Sequence, residues 1–323
     1  MAWRDDRWVA NFPARLLRNW DILERPSVRA PSSGAMNETW LLEWPGQRYV
    51  LRRHRRLVRD EVEFEHRVLA HVGSGGIPCP AIIPARGDAA LVEDDARFYS
   101  LYSWAPGSQI FRGHLDPQHA RSMGSMLGRI HKVLADLPGG PQAHDRESPL
   151  DETLGRIEEL NRIAHDCADR ARVGWAIDEL TARARWLADH KPGPPAKTTA
   201  ASQVIHGDYQ ESNLFFEAGE VSCVIDWDKA RREVPSREVV RAMAYALGME
   251  PLLCRQFLSG YRSVTTITPG QLEEAAGWFS YQDAHDLWVV EQFLLHHNDG
   301  VEGLADHKPF VPFLPRWTAA ALT

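Results

Sequence analysis

The stretch at residues 203–228 limits what this chain can fold into more than any other part of it. An apolar strand, Val204-Ile205, runs into His206-Gly207-Asp208. Tyr209-Gln210-Glu211-Ser212-Asn213 follows, then a second apolar strand, Leu214-Phe215-Phe216. A third apolar run, Val224-Ile225, ends in Asp226-Trp227-Asp228. Gly and Asp are ordinary turn residues, so His-Gly-Asp alone reads as a surface turn between core strands. Here one His, two Asp and one Asn agree in order, in spacing and in their apolar flanks. The chemistry that needs such a set is phosphoryl transfer. One carboxylate orients an acceptor hydroxyl and takes its proton, while a carboxamide and a second carboxylate hold a divalent ion against phosphates. Base and metal ligand on one rigid turn keep a fixed separation.

The spacing from Asp208 to Asn213 matches the kinase catalytic loop H-x-D-x-x-x-x-N, and Asp226 stands where the Asp of D-F-G would stand. Together these residues resemble the aminoglycoside phosphotransferase-like family of small-molecule kinases. The resemblance implies a two-lobed, protein-kinase-like α+β fold, with a small, mostly β lobe at residues 1–104 and a larger, mostly α lobe at 105–323. It implies Asp208 as catalytic base, His206 as a brace for the loop, and Asn213 and Asp226 as magnesium ligands, with ATP as phosphoryl donor.

The whole chain is compatible with that reading. It has 323 residues, 44% hydrophobic and 25% charged, as in a globular protein able to bury a sizeable core. A net charge of -7 argues against nucleic acid as the main partner. Cys79, Cys167, Cys223 and Cys254 are scattered without a C-x-x-C pair, which suits a reducing cytoplasm better than a disulfide framework or a zinc site. Asp5, Asp6 and Arg7 precede any apolar run, unlike a secretory leader, and no stretch is long and apolar enough to span a membrane. The expected location is the cytoplasm. Oligomeric state is left open.

In the first lobe, Leu16, Leu17 and Trp20 share one face of a short amphipathic helix. Ser33-Gly34 precedes a hairpin, residues 39–44 and 47–53, turned by Pro45-Gly46. The resemblance makes Ser33 and Gly34 part of a nucleotide-covering loop. Where the kinase pattern V-A-I-K ends its strand in Lys, this chain has Tyr49-Val50-Leu51-Arg52. Arg binds phosphate as a planar fork, Lys as a point charge. Arg53 alternates to the opposite face, and the run of arginines from 52 to 59 also reads as a solvated basic turn. A helix over residues 60–72, with Asp60 as N-cap, carries Glu65, the match for the acid that pairs with the strand cation. Strands at 89–93 and 97–104 lead to Tyr102-Ser103-Trp104-Ala105-Pro106-Gly107. This resembles the family hinge, where Ser103 and Ala105 would offer backbone groups to adenine.

Beyond the hinge, Asp116-Pro117 starts a helix whose apolar residues recur every three or four positions, from Ala120 to Leu137. His131 beside that stripe reads as a packed core residue. Two helices over 151–190, a Pro-rich linker at 191–195, and helices at 250–262, 270–281 and 283–297 are expected. Glu238 matches the acid by which the family ties a helix to the catalytic core. Asp226 runs into that helix almost at once, too soon for a protein-kinase activation segment, which favours a small acceptor.

Residues 263–307 contain no Lys or Arg but many acids. Asp283 either caps the third expected helix or faces inward beside Leu287, Val290 and Leu294. Acids beside a cleft concentrate cations, so the expected acceptor is a small cationic molecule bearing a hydroxyl, aminoglycoside-like, with Asp283 and Glu291 as contacts. The alternatives are a metabolic amino-alcohol kinase of homoserine or choline type, and a nucleotide-binding module without turnover, which Arg52 alone favours.

Overall fold

The structure is a computed structural model that describes residues 3–4, 12–31, 38–54, 58–143, 149–196, 198–298, 301 and 309–322. They form two compact units. One comprises Met1–Ala143 and Ala201–Thr266, the other His144–Ala200 and Ile267–Thr323. The boundary expected between residues 104 and 105 lies inside the first unit.

The first unit contains an antiparallel sheet of strands β1 (Trp3–Arg4), β2 (Ser27–Pro31), β3 (Glu38–Trp44), β4 (Gln47–His54), β5 (Ile82–Ile83), β6 (Val92–Asp94) and β7 (Arg97–Ser103). Their order is β1-β2-β3-β4-β7-β5, with β6 on β7. Hairpin β3–β4 turns at Pro45-Gly46, where Gly46 takes φ +78°, a value that costs an L side chain strain. Trp40, Leu42, Leu51 and Leu101 pack one face of the sheet. The short 3-10 helix Ala14–Trp20 closes over them with Leu16, Leu17 and Trp20, as the periodicity predicts, and Trp20 Nε1 donates to Ile83 O at 2.9 Å. Helix α1 (Arg59–Ser74) starts one residue earlier than expected. Val58 is its N-cap, and Asp60 sits in the first turn, where its charge favours the helix dipole.

Helices α2 (Pro117–Leu134) and α6 (Pro251–Arg262) cross closely because small residues face each other. A Cβ on Gly124 would lie 1.9 Å from the Phe257 carbonyl oxygen, and one on Gly260 would lie 2.0 Å from that of Arg121. The Asp116 side chain accepts the His119 amide, as the Asp-Pro pair predicts. Between these helices in sequence come two small antiparallel pairs. Strand β8 (Gln203–Ile205) pairs with β11 (Arg231–Glu233), and β9 (Leu214–Glu217) with β10 (Glu220–Val224). Helix α5 (Pro235–Tyr245) follows directly.

The second unit is helical: α3 (Leu150–Asp166), α4 (Arg170–His190), α7 (Pro269–His285), α8 (Trp288–Leu295) and α9 (Phe313–Ala320). Thr268 and Gln271 form a capping box that starts α7, which then runs on to His285. The helix expected from residue 283 is therefore shorter. It begins at Trp288, whose amide is accepted by Asp286, so Asp283 does not cap it. Among the described residues no helix is long and apolar enough to cross a membrane.

Candidate active site

Strand β8 buries Val204 and Ile205 and delivers His206, itself fully buried. Gly207 then takes φ +84°, and a Cβ there would meet the Lys229 carbonyl oxygen at 2.1 Å, so no side chain fits this position. Both His206 ring nitrogens are used inside the turn. Nε2 donates to Ile225 O at 3.0 Å, and Nδ1 accepts the Asp208 amide at 3.2 Å. The ring lies 4.5 Å from that of Trp227. His206 thus fixes the turn, with both ring nitrogens occupied inside it.

The Asp208 carboxylate is held from two sides. Arg241 Nη2 donates to Oδ1 at 2.6 Å, and Asn213 Nδ2 to Oδ2 at 3.3 Å. Asn213 Nδ2 also donates to the Asp208 carbonyl at 2.8 Å. Ile225 N donates to Asn213 O at 3.0 Å. Through that bond, Asn213 and Asp226 keep a fixed spacing. Asp226, just past β10, adopts a left-handed conformation, φ 65° and ψ 62°. An amide oxygen and a carboxylate are hard donors, and magnesium is ordinarily held by one or two such protein groups plus substrate phosphates. The pair fits that ion.

Arg52 reaches this point from β4. Its Nη1 donates to Glu65 Oε1 at 3.0 Å, and its Nη2 pairs with the Asp226 carboxylate. Burial works against the guanidinium's charge, but Asp226 and Glu65 outweigh it and hold Arg52 well above its usual range. Burial likewise works to raise Asp226, and Arg52 more than offsets it, leaving the carboxyl below its usual range. Arg53 points the other way and pairs with Glu38, as strand alternation predicts. Behind Arg52, Ser100 Oγ bridges the Nε2 atoms of His54 and His66 at 2.9 and 3.0 Å.

Helix α5 secures the turn from below. Glu238, fully buried, accepts the His206 amide at 3.2 Å and the Gly207 amide. It also contacts His131 Nε2 at 2.9 Å, and His131 Nδ1 lies 2.9 Å from the Tyr261 hydroxyl. Burial pushes Glu238 up, but these hydrogen bonds and the nearby histidines outweigh it. His131 is therefore a packed link between α2, α5 and α6, as its place beside the apolar stripe suggests. Two features of the site escape sequence reasoning. One is the Arg241–Asp208 pair. The other is Glu211, buried within the turn, which pairs with Arg112 Nε at 3.1 Å. Arg241 had one legible signal: it lies three residues after Glu238, on the same face of the helix.

A model of the phosphotransferase enzyme family matches residues 27–291. The chain belongs to this family. Among curated proteins it is similar to the homoserine kinase of Methylorubrum populi, 24% identical over 262 residues, 79% of this chain and 77% of that protein. It is also similar to the homoserine kinase of Xanthobacter autotrophicus, 27% identical over 267 residues, 79% and 78% of the two chains. Among solved structures it is similar to spectinomycin phosphotransferase in complex with ADP and spectinomycin. That match has a TM-score of 0.68 at 14% identity and covers 96% of this chain and 97% of that one. A microcompartment-associated aminopropanol kinase matches with a TM-score of 0.63 at 17% identity, over 94% and 95%. These structures attest the two-lobed, kinase-like α+β fold, and the family makes the chain a small-molecule kinase.

The remaining expected positions of this phosphotransferase are not all brought to the turn. Ser33 and Gly34 lie outside the described residues. The Ser103 amide donates to Ala81 O at 2.8 Å, so that amide is already paired. Ala105 is buried beside the Gly107 turn, where a Cβ would meet the Ser222 hydroxyl. Asp283 and Glu291 belong to the second unit. Asp283 lies in α7, its carbonyl accepts from Arg183, and burial pushes its carboxyl up to about 6. Arg183 of α4 opposes that rise but does not cancel it. Glu291 accepts from Arg156 Nε at 2.6 Å, an arginine it shares with Glu159.

Proposed function

We propose that this kinase transfers the γ-phosphoryl group of ATP to the hydroxyl of a small amino alcohol. The carrying observation is the Asp208 carboxylate, held between Arg241 and Asn213 on a turn that the Ile225–Asn213 hydrogen bond ties to Asp226. In this reading Asp208 faces the acceptor hydroxyl, orients its lone pair toward phosphorus and receives its proton as the new P–O bond forms. Asn213 and Asp226 hold magnesium, which when bound neutralises charge on the phosphates. Arg52 contacts the α- and β-phosphates while Glu65 steadies it. The backbone at Ser103 and Ala105 meets the nucleotide. His206 and Glu238 keep the turn rigid, so little reorganisation is left for the reaction itself.

The amine in the acceptor is supported by the names of the relatives, homoserine and aminopropanol kinases, more than by Asp283, which lies in α7, and Glu291, which accepts from Arg156. That favours a metabolic amino-alcohol acceptor over an aminoglycoside. The test is magnesium-dependent ADP formation with L-homoserine, 1-amino-2-propanol, choline, spectinomycin and a neutral sugar. Amino alcohols are expected to be turned over, and Asp208→Asn to lower kcat by about 100-fold or more while ATP affinity stays within a few-fold. Preference for the neutral sugar, or near-native turnover by Asp208→Asn, would refute the proposal.

A further inference from the structure

Helix α5 grips the catalytic turn twice from one face. Glu238 takes the amides of His206 and Gly207, and Arg241, one helical turn on, takes the Asp208 carboxylate. The Arg241 guanidinium carbon lies 4.9 Å from the Tyr245 ring centroid. Residues 238, 241 and 245 share one side of the helix. The backbone of the turn and the carboxylate it presents are thus both referenced to one rigid element.

We infer that Arg241 is the positioning residue for Asp208, an inference that rests on reading Asp208 as the group that meets the acceptor hydroxyl. The other bond to this carboxylate, from Asn213, is 3.3 Å long and too weak to set its rotation alone. The 2.6 Å charge-assisted bond from Arg241 is the one that fixes its plane. Phosphoryl transfer passes through a loose transition state in which the acceptor's direction matters more than early proton capture, so a fixed carboxylate orientation is what the turn has to supply. The cation also offsets local negative charge, since Asp208, Glu211 and Glu238 surround a turn that must admit polyanionic ATP. Finally, Arg241 Nη1 is buried and has no hydrogen-bond acceptor among the described residues. Packing alone would be better served by an apolar side chain, and an unspent buried donor marks a group kept for something other than stability.

The test compares Arg241→Met and Arg241→Lys with the wild-type chain. The readouts are kcat and KM for ATP and for L-homoserine or 1-amino-2-propanol, ATP affinity by calorimetry, and Tm. Arg241→Met is expected to lose about 100-fold in kcat while ATP affinity stays within about threefold, and Arg241→Lys to recover at least about tenfold of that loss. Such a split between kcat and binding, with rescue by the retained charge, is not what loss of a structural contact produces. Arg241→Met turning over at the wild-type rate overturns this inference alone. So does an equal loss in both variants accompanied by falling Tm and ATP affinity. A wild-type chain that binds no magnesium-ATP overturns the proposed function and this inference with it.

Discussion

Arg52 Nη1 lies 3.0 Å from Glu65 Oε1 while Nη2 of the same guanidinium reaches Asp226, so one side chain joins β4, α1 and the end of β10. A lysine ammonium is a point charge and does not present two coplanar donors to two acids in this way. Arg52→Met strands both carboxylates in a half-dry site, an arrangement that typically costs about 3–5 kcal/mol. The variant is expected to melt lower and to bind ATP at least about tenfold more weakly, with Arg52→Lys in between. Calorimetric titration and thermal melts read both. Unchanged ATP affinity in the Met variant would move the phosphate contact to another residue.

Asp226 shares its carboxylate with Arg52, and that predicts opposite effects with and without metal. In the proposed function, Asp226→Ala removes a magnesium ligand and at the same time releases Arg52 toward phosphate. ATP binding measured with magnesium should weaken. Binding measured in chelator should be at least as tight as wild type. A variant whose magnesium dependence equals that of the wild-type chain would take the metal role away from Asp226.

The geometry of the turn was legible in the sequence because it is local: Asp208 and Asn213 are five residues apart, and Asp226 follows an apolar strand. Arg52, Glu65 and Glu238 were legible through their places in a known pattern. Arg241 was not, because a helix face carries several charged residues and only the packing of α5 under the turn selects one. The partners of Asp283 and Glu291 were missed for a similar reason. The segment at residues 263–307 lacks Lys and Arg of its own, but Arg183, on the Asp283 carbonyl, and Arg156, on the Glu291 carboxylate, come from helices a hundred or more residues earlier. Local charge counting cannot see pairs that only the tertiary fold creates.

The His54–Ser100–His66 bridge predicts acid sensitivity. Burial, Arg52 and His66 lower His54 to about 2, and burial and Arg52 lower His66 to about 4. In the unfolded chain both titrate near 6.5. Below that value the unfolded state binds more protons than the folded one, so stability falls as pH drops, at roughly 1.4 kcal/mol per pH unit per histidine. The loss levels off only below the folded pKa values, about 4 for His66 and lower for His54. Chemical denaturation between pH 7.5 and 5 should show this slope, and His66→Gln should about halve it. An identical slope in that variant would assign acid sensitivity to other groups.

Asp283 predicts the reverse behaviour. Burial pushes its carboxyl from 3.8 up to about 6, with Asp286 and Glu179 adding to the effect and Arg183 and Arg316 opposing it. Because the folded form holds its proton more tightly than the unfolded one, stability contributed by the neutral acid is present below about pH 4. It is lost as pH rises toward 6, after which the ionised carboxylate remains a net cost. Asp283→Asn keeps the shape and removes the charge. The variant should therefore be more stable than wild type by about 1–3 kcal/mol at pH 8, and this gain should vanish near pH 4. Turnover of an amino alcohol should change little, since Asp283 is engaged within its own helical unit. Should Asp283 instead hold the ammonium of an acceptor, Asp283→Asn would raise the acceptor KM about tenfold and bring no gain in stability at pH 8. Melting curves at the two pH values and a single KM determination separate these outcomes.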